Sequence, residues 1–467
     1  MSTTARAAVP PEWAQVIAKY DRPGPRYTSY PTAVEFDERF GPDSYAERLA
    51  RAASQPEAPL SLYIHLPFCE ERCTFCGCTV IITRKREIAA RYLDYLHREL
   101  ALAAAALGDR RTITQYHWGG GTPTYLSVDE MRALQDAVTA QFTIRPDAEV
   151  AIEVDPRVTS MDQLRTLRAM GFNRLSMGVQ DFTPEVQTAV NRLQTEAVTR
   201  ALFEEARALG FESINIDLIY GLPRQTPESF GSAVDAVVAM GPDRVAVYSY
   251  AHVPWIRPHQ RRIPAETLPA GRAKLELFFE AMDRFLRAGY VQIGMDHFAR
   301  PGDEIARAAA TGTLHRNFMG YTTRPATDLI GVGVSAIGDV ADSFAQNLKK
   351  LPSYYAAIDA GRFPVERGYA LDEDDRIRRH VITQIMCNFG VVYREVERRF
   401  GISFHEYFAE EQTELAAGPR IDGLIELEDD RLVITPLGRL LVRNVAMVFD
   451  RHLRGRHAEQ PVFSRTV

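Results

Sequence analysis

The stretch Tyr63-Ile64-His65-Leu66-Pro67-Phe68-Cys69-Glu70-Glu71-Arg72-Cys73-Thr74-Phe75-Cys76-Gly77-Cys78 carries a short apolar run straight into a cysteine-rich loop. Residues 61–66 read as a buried strand, bounded by Pro67. Three thiols at CxxxCxxC spacing follow it. On one short loop they can ligate three corners of a cubane iron–sulfur cluster and leave the fourth iron without a ligand from the triplet. Zinc is the alternative, with Cys78 or His65 as fourth ligand. A disulfide framework is disfavoured, because four of the five cysteines crowd into residues 69–78.

On either side of this loop the pattern is strand followed by helix. Strands are expected at 61–66, 112–118, 149–154, 174–180, 213–220 and 244–250, with helices at 89–107, 128–142, 161–170, 184–209 and 227–240. Such alternation implies a parallel sheet, here a partial six-unit (β/α) barrel of TIM-like kind, whose pattern weakens after Gly289. The unusual residues collect at strand ends. The cysteines follow the first strand and Gly119-Gly120-Gly121-Thr122 the second. Glu153 and Asp155 end the third, Gln180 ends the fourth, Asp217 lies in the fifth and His252 follows the sixth. Parallel α/β folds bind ligands at the carboxyl ends of their strands, so these positions should share one face.

Two flanking parts differ from the barrel. Residues 22–31 hold three prolines and a glycine among tyrosines and arginines, which excludes regular helix and reads as an ordered strap. After about 356, helices at 372–388 and 392–400, a hairpin at 423–435 and a last helix at 436–453 make a small, mostly helical, winged-helix-like α+β domain. The expected units are 1–55 (strap and helix), 56–355 (barrel) and 356–467.

The chain has 467 residues, 46% hydrophobic and 25% charged, with net charge -6. That composition suits a globular core without disulfide staples, and the charge disfavours broad nucleic-acid binding. No stretch approaches the roughly 18 apolar residues of a membrane span, and residues 1–11 lack an apolar leader core. A cytoplasmic setting with reduced thiols is therefore expected.

An open iron can chelate the amino and carboxylate groups of S-adenosylmethionine (SAM), and one electron then cleaves the sulfonium. The glycine run lets backbone approach such a ligand, though a tight turn without ligand gives the same pattern. Glu153 and Asp217 are carboxylates in apolar strands and need partners, either a ligand or an internal arginine such as Arg174 or Arg192. Among the histidines, His65, His117, His252, His297 and His315 stand near the motifs, but none is assigned a catalytic role. Cys387, on an apolar helix face, reads as a small core residue.

Taken together, these motifs closely resemble the oxygen-independent coproporphyrinogen III oxidases, a radical SAM family. The resemblance runs from Gly24-Pro25-Arg26-Tyr27-Thr28-Ser29-Tyr30-Pro31-Thr32 through the C-terminal domain. It includes His117-Trp118-Gly119-Gly120-Gly121-Thr122-Pro123, Ile152-Glu153-Val154-Asp155-Pro156, Asn173-Arg174-Leu175-Ser176-Met177-Gly178-Val179-Gln180, Asn215-Ile216-Asp217-Leu218-Ile219-Tyr220-Gly221-Leu222-Pro223, Gly294-Met295-Asp296-His297 and His315-Arg316-Asn317-Phe318.

The resemblance implies oxidative decarboxylation of two propionates of coproporphyrinogen III to vinyl groups, giving protoporphyrinogen IX in anaerobic haem synthesis. A deoxyadenosyl radical would abstract a propionate β-hydrogen, and a 4Fe-4S cluster with two SAM molecules would supply it. Carried over by position, Cys69, Cys73 and Cys76 are the cluster ligands. Tyr63, Gly120, Glu153 and Ile337 match places around one SAM; Phe75, Gly121, Thr122, Gln180, Arg192, Asp217 and Ala251 match places around the other. Tyr63 and Glu153 are the catalytic assignments. An electron donor such as flavodoxin or ferredoxin, an unnamed terminal acceptor and a monomeric state complete the family expectation. Cys78 and the strap distinguish the chain from related haem-binding chaperones, which remain the alternative. DNA binding by the C-terminal domain is a third reading, opposed by the acidic residues of its hairpin. One departure is Met319, where the oxidase pattern has Gln. Arg26, Arg300 and Arg316 are the expected cations for the substrate's carboxylates.

Overall fold

The computed structural model describes residues 10–324, 328–454 and 463–466. The opening residues 1–9, which carry most of the reading that no leader core is present, lie outside that set. Among the described residues no helix is long and apolar enough to cross a membrane.

Six parallel strands form the frame: β1 (Leu60–Leu66), β2 (Thr112–Gly120), β3 (Thr143–Val154), β4 (Arg174–Gln180), β5 (Ser213–Tyr220) and β6 (Arg244–Ser249). They pair in chain order, as strands joined by helical crossovers do. Ile64, Trp118, Ile152, Ile216 and Val247 are closed to solvent. Each such side chain contributes about 1.5–3 kcal/mol on burial. Reciprocal caps start three crossover helices, at Ser127 with Glu130, Ser160 with Gln163 and Thr226 with Ser229.

The barrel stays open, and short strands extend both its edges. Asp328–Val332 pairs parallel to β1, followed by antiparallel Ile337–Asp339, Ser343–Asn347 and Val365–Ala370. Beyond β6 lie antiparallel His297–Ala299 and Val291–Ile293. Most of these strands have three to five residues, too short for an alternating pattern to declare itself after Gly289.

Two expected helices are each broken in two. Residues 184–209 form Pro184–Ala189 and Glu196–Ala208. Between them Asn191 takes φ 53°, and Thr195 caps the second helix at Val198. Residues 436–453 form Pro436–Leu440 and Val442–Val448, separated by Leu441.

The C-terminal region has its own core around Ile385, Phe408, Val442 and Phe449. A three-stranded antiparallel sheet, Gly390–Val392, Arg431–Ile434 and Ile425–Leu427, packs with its helices. The strap belongs to this core rather than standing free over a site. Tyr27 and Tyr30 are buried in it, the Tyr27 hydroxyl donates to Asp450 (2.8 Å), and Arg443 Nε donates to the carbonyl of Pro25 (2.9 Å). Helix Pro42–Ala53 instead packs on the barrel core through Tyr45 and Leu49. The described residues 10–55 are thus divided between two cores.

Candidate active site

The carboxyl ends of β1–β6 open onto a cavity of about 830 Å³. Its walls include Cys69, Cys73, Cys76, Phe75, Gly120, Gly121, Thr122, Glu153, Gln180, Arg192 and Asp217. Strand-end placement therefore brings most of the expected positions together. Tyr63, Ala251 and Ile337 do not line it. Tyr63 stands behind Glu153, stacked on His117 with ring centroids 5.8 Å apart. The carbonyl of Ala251, just past β6, accepts from Gln260 (3.3 Å). Ile337 packs beside Phe36, Phe318 and Phe344.

The cysteine loop is held from several sides. Gly121 N–H donates to Leu66 O and Thr122 N–H to Phe68 O, both at 2.9 Å. Thr74 N–H donates to Val190 O (3.0 Å) and Asn191 Nδ2 to Arg72 O (3.0 Å). Gln260 Nε2 reaches Phe75 O (2.9 Å) and His259 Nε2 reaches Cys76 O (2.8 Å). The glycine run owes its composition to this docking. A Cβ on Gly121 would stand 2.6 Å from the Pro67 carbonyl carbon; one on Gly120, at φ 118°, would stand 2.7 Å from the His65 ring.

Around the thiols, Cys69 Sγ lies 3.4 Å from Thr122 Oγ1. Cys76 Sγ accepts from Cys78 N–H (3.4 Å), and hydrogen bonding from Cys78 holds the Cys76 thiol below its ordinary pKa. Burial pushes Cys69 up to about 11. Cys73 Sγ faces two guanidinium groups, Arg192 Nη1 at 3.7 Å and Arg157 Nη2 at 3.8 Å. Asp155 lies between them, bonded to Arg157 (2.6 Å) and Arg192 (3.0 Å). Arg157 was not legible as a site residue, although Asp155-Pro156-Arg157 at the end of β3 places it at the right face.

Glu153 Oε2 accepts from Gly120 N–H (3.0 Å), and Oε1 lies 3.4 Å from His117 Nε2. Burial raises its pKa, but His117 and the Gly120 amide outweigh that and leave it lowered. Asp217 accepts from Asn215 (2.7 Å) and Ser176 (3.2 Å), and burial pushes it up to about 6. The suggested internal arginines are used elsewhere: Arg174 pairs with Glu304 and Arg192 with Asp155. Both carboxylates face the cavity instead. His65 Nε2 is 3.0 Å from the carbonyl of Thr79, so it carries the proton, and Nδ1 accepts from the Tyr63 hydroxyl (3.0 Å). Gln180 sits at a bulge in β4 with φ 72°, and its buried Oε1 has no hydrogen-bond partner. Such strain and an orphaned acceptor are features of ligand sites.

These residues fit a cubane cluster with SAM beside it. Three thiols share one loop, the fourth cysteine is exposed, and glycine backbone, two carboxylates and an unpaired amide oxygen line the adjoining space.

Arg300 is not at this face. It donates to the carbonyls of Gly241 and Pro242 (3.0 and 3.2 Å) at the start of β6. Arg26 is paired with Asp296. Met319 N–H donates to Asn317 Oδ1 (2.9 Å) in the turn between His315–Asn317 and Gly320–Thr322. Cys387 is a buried core residue beside Ile293 and Tyr321.

Comparison with known proteins agrees with this site. The radical SAM superfamily model matches residues 63–237 and the HemN C-terminal domain model residues 371–441. The oxygen-independent coproporphyrinogen III oxidase of Escherichia coli is 48% identical, covering 97% of this chain and 98% of its own. That of Pseudomonas aeruginosa is 45% identical, with the same coverage. The solved structure of coproporphyrinogen III oxidase (HemN) from Escherichia coli, a radical SAM enzyme, superposes with TM-score 0.88 over 92% of this chain and 98% of that one. The likeness runs over nearly the whole length of the chain and of these relatives, and the chain belongs to the oxygen-independent coproporphyrinogen III oxidases of the radical SAM superfamily.

Proposed function

We propose that this chain oxidatively decarboxylates two propionate groups of coproporphyrinogen III to vinyl groups, yielding protoporphyrinogen IX. The observation that carries this reading is the convergence of Cys69, Cys73 and Cys76 with Gly120, Glu153, Gln180 and Asp217 on one cavity. When bound there, the cluster and SAM supply a one-electron cleavage that generates a hydrogen-abstracting radical.

The protein's own part is binding and orientation. Cys69, Cys73 and Cys76 hold the cluster. The Glu153 carboxylate, kept ionised by His117 and Gly120, receives the ammonium or ribose of one SAM, with Tyr63 behind it as a neutral phenol. Gln180, Asp217 and Arg192, with Phe75, Gly121, Thr122 and Ala251, receive a second SAM. Ile337 shapes the approach to the first. Residues 1–55, 56–355 and 356–467 are taken as strap and helix, catalytic barrel and supporting domain. The enzyme works as a cytoplasmic monomer, drawing electrons from a flavodoxin- or ferredoxin-like carrier.

The test is anaerobic turnover. Reconstituted protein with SAM, reductant and coproporphyrinogen III should give protoporphyrinogen and methionine, and Cys73→Ser should give neither. Stoichiometric haem binding without vinyl product would replace this reading with that of a haem chaperone.

A further inference from the structure

A substrate with four carboxylates needs cations, and the three arginines expected to provide them meet different fates. Arg300 is committed to backbone carbonyls at the far end of the barrel. Arg26 is neutralised by Asp296. Arg316 alone of the three is unspent. It lies in His315–Asn317, opposite Tyr321 in the paired strand, with its guanidinium 4.9 Å from the centroid of that ring. Its Nε and Nη1 are closed to solvent and donate to no partner.

A buried guanidinium with unmade hydrogen bonds is costly, so a structure that retains one has a use for it. Asp296 feels its charge but accepts from neither Nε nor Nη1. One Asp296 oxygen is taken by Arg26 and the other by His297 Nδ1 (2.7 Å). Asp339, which borders the same small cavity, is paired with Arg379.

The surroundings connect this cation with the reaction site. Arg316 lies over Tyr321, and Tyr248 lines the large cavity with Asp217. The His297 ring bridges Tyr248 and Tyr321, with centroids 5.6 and 4.9 Å away. On its other side Arg316 borders a pocket of about 20 Å³ shared with Tyr27, Thr28, Ser29 and Tyr30 of the strap. That is room for about one water. A carboxylate there needs the groups around this pocket to move apart.

Resting on the substrate reading above, we propose that Arg316 is the receptor for a propionate carboxylate of the porphyrinogen, taking it in fork geometry between Tyr248, Tyr321 and the strap. The planar fork matches a carboxylate with two parallel hydrogen bonds on an edge that Nη2 shares with Nε or with Nη1, so the carboxylate gives a partner to one of the two orphaned nitrogens.

Equilibrium binding tests this with coproporphyrin III, the oxidised ring that keeps all four carboxylates, and with its tetramethyl ester, which keeps the ring without charge. Arg316→Gln should weaken coproporphyrin binding roughly ten- to a hundredfold, leave ester binding unchanged, and leave iron content and SAM affinity at wild-type values. Arg316→Lys, which keeps charge but not the fork, should fall between and remains available if the Gln variant does not fold. Unchanged coproporphyrin affinity in either folded variant overturns the proposal while leaving the substrate reading intact. Failure of the wild-type protein to bind coproporphyrin overturns both.

Discussion

The guanidinium of Arg157 directs Nη2 at the sulfur of Cys73 across 3.8 Å. Arg192 approaches the same sulfur, and Asp155 neutralises one of the two cations. One net positive charge therefore remains beside a thiolate of the cluster loop. Positive charge and N–H donors at a ligand sulfur favour the reduced, more negative cluster. Arg157→Gln should make the cluster harder to reduce. A one-electron couple moves about 59 mV per tenfold preference, so the midpoint should fall by on the order of 50 mV. Redox titration followed by electron paramagnetic resonance, without SAM, measures it. An unmoved midpoint at full iron content would reduce Arg157 to a loop brace.

Gly121 offers a steric test of how the cluster loop is seated. An alanine there would press its Cβ against the Pro67 carbonyl at 2.6 Å, a backbone atom that cannot step aside. Gly121→Ala should therefore displace the loop and lower iron and sulfide per chain. Gly77 lies inside the same loop with nothing within 4 Å of its would-be Cβ. Gly77→Ala should load normally, which separates a local clash from general intolerance of the loop.

What the sequence could and could not disclose follows from range. The parallel strands, the glycine run and the carboxylates at strand ends are visible because each leaves a local pattern. The split of residues 184–209 is not. It depends on Asn191 entering the left-handed region so that Arg192 can reach Asp155, thirty-seven positions back. The strap's composition announced order but not its partner, since Tyr27 and Asp450 meet across 423 residues. Charge alone made Arg26, Arg300 and Arg316 equivalent; only their neighbours separate them.

Gln180 stores strain where the family resemblance places a SAM contact. A non-glycine residue at φ 72° costs about 1–3 kcal/mol. Gln180→Gly should raise the unfolding midpoint of the SAM-free protein and at the same time weaken SAM binding, because the amide is lost. Thermal unfolding and SAM titration on the same preparation test both halves. A variant that binds SAM normally would remove Gln180 from the site.

Glu99 gives the protein a pH dependence remote from the chemistry. It is 3% exposed. Oε2 accepts from Gly333 N–H (2.8 Å) and the Tyr354 hydroxyl (2.6 Å), and Oε1 from Asn347 (2.6 Å). Burial nevertheless dominates and pushes its pKa up to about 7. A carboxyl raised in the folded state favours folding fully below its unfolded value, near 4.5, and loses that contribution as pH climbs through about 7. Two to three pH units correspond to about 3 kcal/mol. Glu99→Gln does not titrate, so its stability relative to wild type should rise across that window and level off above it. Urea unfolding at about pH 5 and about pH 8 measures the change. A constant gap would mean that Glu99 ionises at its ordinary value. The consequence reaches the cluster loop through the backbone. Glu99 holds Gly333, the next amide at Val334 is held by Tyr92 (3.0 Å), and the Tyr92 hydroxyl donates to His65 O (2.8 Å) on β1. The cost of ionising Glu99 is therefore borne two hydrogen bonds away from the strand that presents Cys69.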